Sequence, residues 1–243
     1  MDTQKITAMT VGGAKLHRVR EALAEFVVPG VTFEAIESKA QSLIKAEGAV
    51  PSFSTVPGYH WATCLMKNDE VCHGIPKGKR VDDGDVITID VGLIEQGYHL
   101  DTTTTVAAGS VSPDVERFLQ IGRDSLRKAI AKAQVGNSVY DLSRTMQKVV
   151  ETHGFGAVYQ LTGHGIGKKL HDEPSIPCVA QKSDKRIKLV PGMTLAIEIM
   201  YTAGDPELVV DKDGWTYRTK DHSLSGMFEE TVLITEHGPQ VLT

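Results

Sequence analysis

Two stretches of the chain repeat one pattern of apolar and polar positions. Gly30–Gly48, GVTFEAIESKAQSLIKAEG, aligns without a gap on Gly136–Gly154, GNSVYDLSRTMQKVVETHG, at a constant offset of 106. Ile36, Ala40 and Leu43 fall on Leu142, Met146 and Val149, spaced as one face of a helix. Thr32 and Ser138 stand where an N-cap belongs, each after a glycine, and Ser138 with Asp141 has the form of a shortened capping box. Each helix is expected to stop at a glycine, Gly48 or Gly154. A further helix is predicted before each unit, over roughly Gly13–Phe26 and Pro113–Gln134.

The apolar period then changes. GDVITIDVGLI follows the first unit and GMTLAIEIMY the second; aligning Gly84 with Gly192 puts Asp90 on Glu198. Both runs read as buried strands with an acid inside. A later pair corresponds too, Leu100-Asp101-Thr102-Thr103 with Phe228-Glu229-Glu230-Thr231. Each half is therefore expected to run helix, helix, strand with acid, strand with acid. The halves, about 1–112 and 113–243, are expected to form one α/β (α+β) domain, 1–243.

A carboxylate in an apolar strand is costly to desolvate. One could be held by a basic partner, but four at matching positions imply a shared cause. Gln96-Gly97 suits a two-residue hairpin turn. Such a turn sets Asp101 opposite Gly92 and Asp90 opposite Thr103, so both acids share a face. If the halves pack about a pseudo-two-fold axis, four carboxylates meet, and they must take up protons or bind cations. Two divalent ions neutralise four carboxylates, which favours a binuclear site with metals about 3.5–4 Å apart. His164 sits among Gly163, Gly165 and Gly167, His171 follows, and His73 precedes the first acid strand; these three are candidates for the site. His17, His153 and His237 read as ordinary surface or core residues.

Composition narrows the setting. The chain has 243 residues, 41% hydrophobic and 23% charged, with a net charge of −5, which gives no electrostatic case for nucleic-acid recognition. The run Lys182–Lys188 reads as a solvated loop. Three cysteines fit a reducing compartment better than a disulfide framework. No signal-peptide h-region or membrane-length apolar run is present, so a cytoplasmic protein with no membrane partner is expected.

Taken together, NDEVCHGIP, ITIDVGLIEQGYHLDTT, GHGIGKKLHDEP, GMTLAIEIM, KDGWTYRTKD and FEETVLIT resemble the methionine aminopeptidases of the short type I, bacterial-style form. The similarity spans almost the whole chain. It implies the pita-bread fold, a pseudo-two-fold curved antiparallel sheet with helices outside it. The lack of a long second-half insertion and of an N-terminal domain points away from type II and from the prolidase and aminopeptidase P branches. By motif, Asp90, Asp101, His164, Glu198 and Glu229 correspond to metal ligands, with Asp101 and Glu229 bridging, His164 and Glu198 completing one metal and Asp90 the other. His73, His171 and Glu198 correspond to catalytic groups, His73 and His171 touching substrate and Glu198 acting as general base. Phe53, Tyr59, Cys64, Leu170 and Trp215 are expected to line the side-chain pocket; ordinary core packing is the alternative for each, and Cys72 is left open between core and pocket.

The implied cofactors are two divalent ions, Mn, Fe or Co with Zn as an alternative, and an alkali cation on backbone oxygens at Asn68, Glu70 and Ser225. The implied partners are nascent polypeptide N-termini, with ribosome contact left open, and the protein is expected to be a monomer. Three positions depart from the family pattern: Ile199 stands where a proline commonly follows the ligand, and Met227 and Glu230 where Gln and His are usual. Glu230 is like the acid of the Xaa-Pro-cleaving branch, which makes such a peptidase one rival reading. A metal-free peptide-binding protein on the same fold is the other.

Overall fold

A computed structural model describes residues 2–243. The first half runs α1 (Thr3–Phe26), α2 (Phe33–Ala46), β1 (Val50–Pro51), β2 (Thr63–Lys67), β3 (Glu70–Cys72), β4 (Val86–Glu95) and β5 (Tyr98–Ala107). The second runs α3 (Pro113–Ile130), α4 (Val139–Thr152), β6 (Gly156–Ala157), β7 (Thr162–Gly165), β8 (Asp172–Pro177), β9 (Thr194–Thr202), β10 (Leu208–Val210), β11 (Tyr217–Thr219), β12 (Ser225–Thr235) and β13 (Gly238–Val241).

Both predicted caps form. Thr32 accepts from the Ala35 N–H, and Ser138 and Asp141 complete a capping box; each such cap stabilises its helix by about 1 kcal/mol. The repeat extends to the loops, since Thr32 bridges Arg80 and Ser138 bridges Lys188. Two boundaries differ from expectation. Helix α1 begins at Thr3, ten residues before Gly13, capped by Asp2. Gly12 and Gly13 lie inside it because the helix packs closely there: a Cβ on Gly12 would meet the Glu95 Cβ at 2.7 Å, and one on Gly13 would meet the Leu242 carbonyl. Helix α3 ends at Ile130, where the chain tightens into turns from Ala131 to Gln134. Lys182–Arg186 is a solvent-exposed 3-10 turn, with Asp184 alone buried within it.

The main sheet has ten strands, ordered β1-β4-β5-β12-β9-β7-β8 with β2, β6 and β13 beside it. The halves join where β5 pairs with β12. Helix α1 packs on β4 and β5, and α3 on β9 and β12, which covers one face of the sheet. Apolar residues form two clusters, one around α1 and α2 and one around α3 and α4. A second, three-stranded sheet, β10-β11-β3, stands apart from the main one.

Candidate metal centre

Gln96 and Gly97, both at positive φ, make the predicted two-residue turn. The register that follows is the expected one, Asp90 opposite Thr103 and Gly92 opposite Asp101. Across the sheet, Cys64, Asp90, Thr103, Glu229 and Glu198 then fall in one row, each opposite the next. Two residues along, Gly92 lies opposite Asp101, and Thr231, Ala196 and His164 continue a second row. The Asp101 N–H donates to Thr231 Oγ1 at 3.1 Å, and that hydroxyl donates to the Asp101 carbonyl at 2.8 Å, which ties the second row across the joint between halves. Residues opposite one another share a face, so all four acids and His164 converge on the face away from the helices.

There they line one cavity of about 290 Å³. The Asp101, His164 and Glu229 donor atoms lie within 4.8 Å of one another, with His164 Nε2 4.0 Å from Asp101 Oδ2. Gly163 lets this strand approach its neighbour, since a Cβ there would meet the Ala196 carbonyl at 2.6 Å. His164 Nδ1 lies 2.9 Å from the Gly165 carbonyl, which can only accept; Nδ1 therefore carries the proton, and the Nε2 lone pair faces the acids.

The electrostatics are those of a site suited to a cation. Burial raises Asp90 to about 7 and, with the Asp90 charge second, Glu198 to about 8. Burial and then neighbouring carboxylates hold Asp101 and Glu229 well above the usual range. Burial pushes His164 down to about 4 and lowers His73 and His171 as well, so all three favour the neutral form. Asp90 Oδ1, Asp101 Oδ1 and Glu229 Oε1 are buried without a hydrogen-bond partner. Such orphaned oxygens are expensive unless something positive meets them. Four carboxylates and one imidazole free at Nε2 fit divalent ions.

A model of metallopeptidase family M24 matches residues 7–236. The chain belongs to metallopeptidase family M24. Family membership implies divalent metal binding, which the donor set fits. The chain is 37% identical over 239 residues to a methionine aminopeptidase of Clostridium perfringens, covering 98% of this chain and 96% of the relative. It is 41% identical to one from Aquifex aeolicus, covering 93% and 90%. The crystal structure of a methionine aminopeptidase from Thermotoga maritima superposes with a TM-score of 0.97 at 35% identity, covering 100% and 98%. A prolidase from Pyrococcus furiosus shares the fold at a TM-score of 0.78 and 22% identity, with 64% of its chain covered. The architecture is the pita-bread fold of these M24 peptidases.

The cavity gathers all the predicted site residues of this M24 chain: the five candidate ligands, His73 and His171, and Phe53, Tyr59, Cys64, Leu170 and Trp215. The His171 ring meets His164 edge-on, with centroids 4.6 Å apart. Tyr59 donates to the Thr63 carbonyl at 2.8 Å, which turns its ring toward Trp215. Burial first, then nearby acids, raise the Cys64 and Cys72 thiols well above their usual range, so both remain neutral.

Cys72, left open in the sequence, lines the cavity, as do Met200, Met227, Gln160, Leu161 and Thr162, which sequence reasoning missed as site residues. Strand alternation would have found two of them: Met200 shares the face of Glu198, and Met227 that of Glu229. Thr103 donates to Glu229 Oε2 at 2.8 Å and was legible from the hairpin register. The other departures turn away. Ile199 is fully buried in the core beneath the sheet. Glu230 accepts from Arg20 of α1 at 2.9 Å and from the Thr243 hydroxyl at 2.7 Å, outside the cavity. The backbone oxygens of Asn68 and Glu70 both accept from the Ser225 hydroxyl, at 3.0 and 2.7 Å.

Proposed function

We propose that this protein removes the N-terminal methionine from polypeptides by hydrolysing the first peptide bond. The observation that carries this reading is the cavity itself. Its floor holds the buried, under-bonded acids, and its wall is apolar and rich in sulfur. An unbranched thioether suits a wall of Phe53, Tyr59, Trp215, Cys64 and Met227 better than a charged or β-branched side chain.

In this proposal Asp101 and Glu229 would be shared between two divalent ions, with His164 and Glu198 serving one and Asp90 the other. An oxygen-rich set with one imidazole suits Mn, Fe or Co, with Zn as the alternative. When bound, the ions supply Lewis acidity that makes water nucleophilic near neutral pH and polarises the scissile carbonyl. Glu198 accepts the proton of the attacking water and passes it to the leaving amine. His171, on the rim beside His164, donates to the oxygen on which charge develops. His73 orients the departing nitrogen. An alkali cation on the Asn68, Glu70 and Ser225 carbonyls belongs to the same proposal, supported by the convergence of those residues. The substrates are taken to be nascent chains in the cytoplasm, met by a monomer, with ribosome contact an extension of this reading.

The test is a peptide panel, Met-Ala-Ser, Met-Lys-Ser, Leu-Ala-Ser and Ala-Pro-Ser, assayed with Mn or Co after metal removal. Met-Ala-Ser is expected to be cleaved fastest, releasing free methionine. Preference for Ala-Pro-Ser would favour the Xaa-Pro reading, which loses its motive because Glu230 lies outside the cavity. Absence of cleavage with every metal, and of bound metal by elemental analysis, would favour a binding protein.

A further inference from the structure

The cavity has two walls that belong to different sheets. His73 follows β3, and its ring meets Tyr217 of β11 edge-on at 5.8 Å, so it rides on the small three-stranded sheet. His171 precedes β8 and rides with β7 and β8 on the main sheet. Trp215, in the turn between β10 and β11, also belongs to the small sheet's side.

One margin of the small sheet is anchored: β3 is joined to β12 by the Ser225 N–H and hydroxyl, which donate to the Asn68 and Glu70 carbonyls. The other margin is β10, an edge strand. Lys220 N–H donates to the Glu207 carbonyl and Asp211 N–H to the Thr216 carbonyl, at the two ends of the β10–β11 pairing. Glu207, Val209 and Asp211 therefore turn their backbone groups toward β11, and Leu208 turns its own toward the free edge. Both Leu208 groups end on one side chain. Its N–H donates to Gln160 Oε1 at 2.6 Å, and its carbonyl accepts from Gln160 Nε2 at 3.2 Å. The amide of Gln160 thus takes the place of a neighbouring strand. Gln160 lies between β6 and β7, two residues before Thr162, and itself lines the cavity.

We infer that Gln160 is a positioning residue that clamps the small sheet to the β7 wall and so sets the gap between His73 and His171. This deepens the proposed function and rests on it, because that gap is where the second residue of a substrate must pass. A primary amide carries a donor and an acceptor side by side, as the paired Leu208 N–H and carbonyl require. Held closed, the gap admits Gly, Ala or Ser at the second position and resists larger side chains. Selectivity at the second residue then rests on a contact that does not itself touch the reacting bond.

The test compares Gln160→Ala and Gln160→Glu with the wild type as Mn-loaded protein, on Met-Ala-Ser and Met-Leu-Ser. For Gln160→Ala the ratio of kcat/KM for the two peptides is expected to fall by roughly tenfold, a change of the size that one or two methylenes make in a fitted site. The Met-Ala-Ser loss should lie in KM more than in kcat, since the clamp acts on binding geometry rather than on the reacting atoms. Gln160→Glu keeps the acceptor for the Leu208 N–H but sets a carboxylate oxygen against the Leu208 carbonyl, so it too should lower the ratio, and it carries the test if the alanine variant does not fold. Amide exchange at Leu208 is measured alongside and should quicken in Gln160→Ala. An unchanged peptide ratio, or unchanged Leu208 exchange, overturns the clamp. If the wild type cleaves neither peptide, the aminopeptidase reading fails, and the Leu208 exchange still decides whether the clamp exists.

Discussion

Removing metal should make the stability of this protein depend steeply on pH, in a direction the buried acids fix. Asp90 at about 7 and Glu198 at about 8 keep their protons in the metal-free fold long after an unfolded chain has lost them. The unfolded state then binds fewer protons, so stability falls as pH rises from the ordinary carboxylate range through these values. His164 works in the opposite direction: its folded value of about 4 lies below the ordinary one, so its contribution is lost on acidification and is complete above about pH 6.5. The acids dominate the change between about pH 6.5 and 8. At about 1.4 kcal/mol per pH unit and group, Glu198 loses roughly 2 kcal/mol over that interval and Asp90 somewhat under 1. Asp101 and Glu229, held higher still, act with the same sign. Bound cations remove the penalty because they take the place of the protons. A loss of about 3 kcal/mol corresponds to roughly 6–12 °C for a chain of this size. The assay is thermal unfolding of chelator-stripped and Mn-loaded protein at both pH values. The difference in Tm should widen by at least about 6 °C from the lower to the higher pH. Two curves that move in parallel would refute the reasoning, because every group outside the cluster is common to both forms.

Asp101→Ala and Glu229→Ala should each abolish activity and lower bound metal, measured by elemental analysis; full activity with metal retained would reject the bridging roles. His171→Ala should keep its metal and lose kcat, and loss of metal there would make His171 a ligand instead. Gly92→Ala should destabilise the fold by about 1–3 kcal/mol and weaken Met-Ala-Ser binding, because a Cβ would meet the Phe53 ring at 2.7 Å and the Ser52 Cβ at 2.9 Å; denaturant unfolding and KM read the two effects. Arg20→Met should cost about 1–3 kcal/mol in the same unfolding assay, by leaving the part-buried Glu230 carboxylate with the Thr243 hydroxyl alone, with metal content unchanged.

Those parts of the fold written in local code were legible from the sequence. Helix caps at Thr32 and Ser138 need only a few neighbouring residues, and the Gln96-Gly97 turn fixes the β4–β5 register by itself. With that register, Asp90 and Asp101 could be placed on one face before any tertiary information. The internal repeat then transferred the same placement to Glu198 and Glu229. What was not legible depends on partners far along the chain. The early start of α1 is set by the close approach of Gly12 and Gly13 to Glu95 and Leu242, which no helical period announces. The small sheet pairs β3 with β11 across most of the chain, and its strands have three residues each, too few for a pattern. The Gln160–Leu208 contact has no sequence signal at all, since any surface glutamine looks the same.

The departures from the family motif are sorted by strand alternation, which a motif compared letter by letter ignores. Met227 and Glu230 are three residues apart on β12 and so lie on opposite faces. Glu230 joins the helix-covered face, where Arg20 and Thr243 satisfy it, and its acid cannot reach substrate from there. Met227 joins the cavity with Glu229. Its thioether side chain joins those of Cys64, Cys72 and Met200, so four sulfur-bearing residues line the cavity. Burial keeps both thiols neutral, which leaves the wall polarisable rather than charged. Replacing an amide by a thioether at position 227 also removes a hydrogen-bonding group from the neighbourhood of Glu229, whose remaining partner is the Thr103 hydroxyl. Glu229 has one oxygen held by that neutral donor and the other, Oε1, buried without a hydrogen-bond partner, which suits it to a cation.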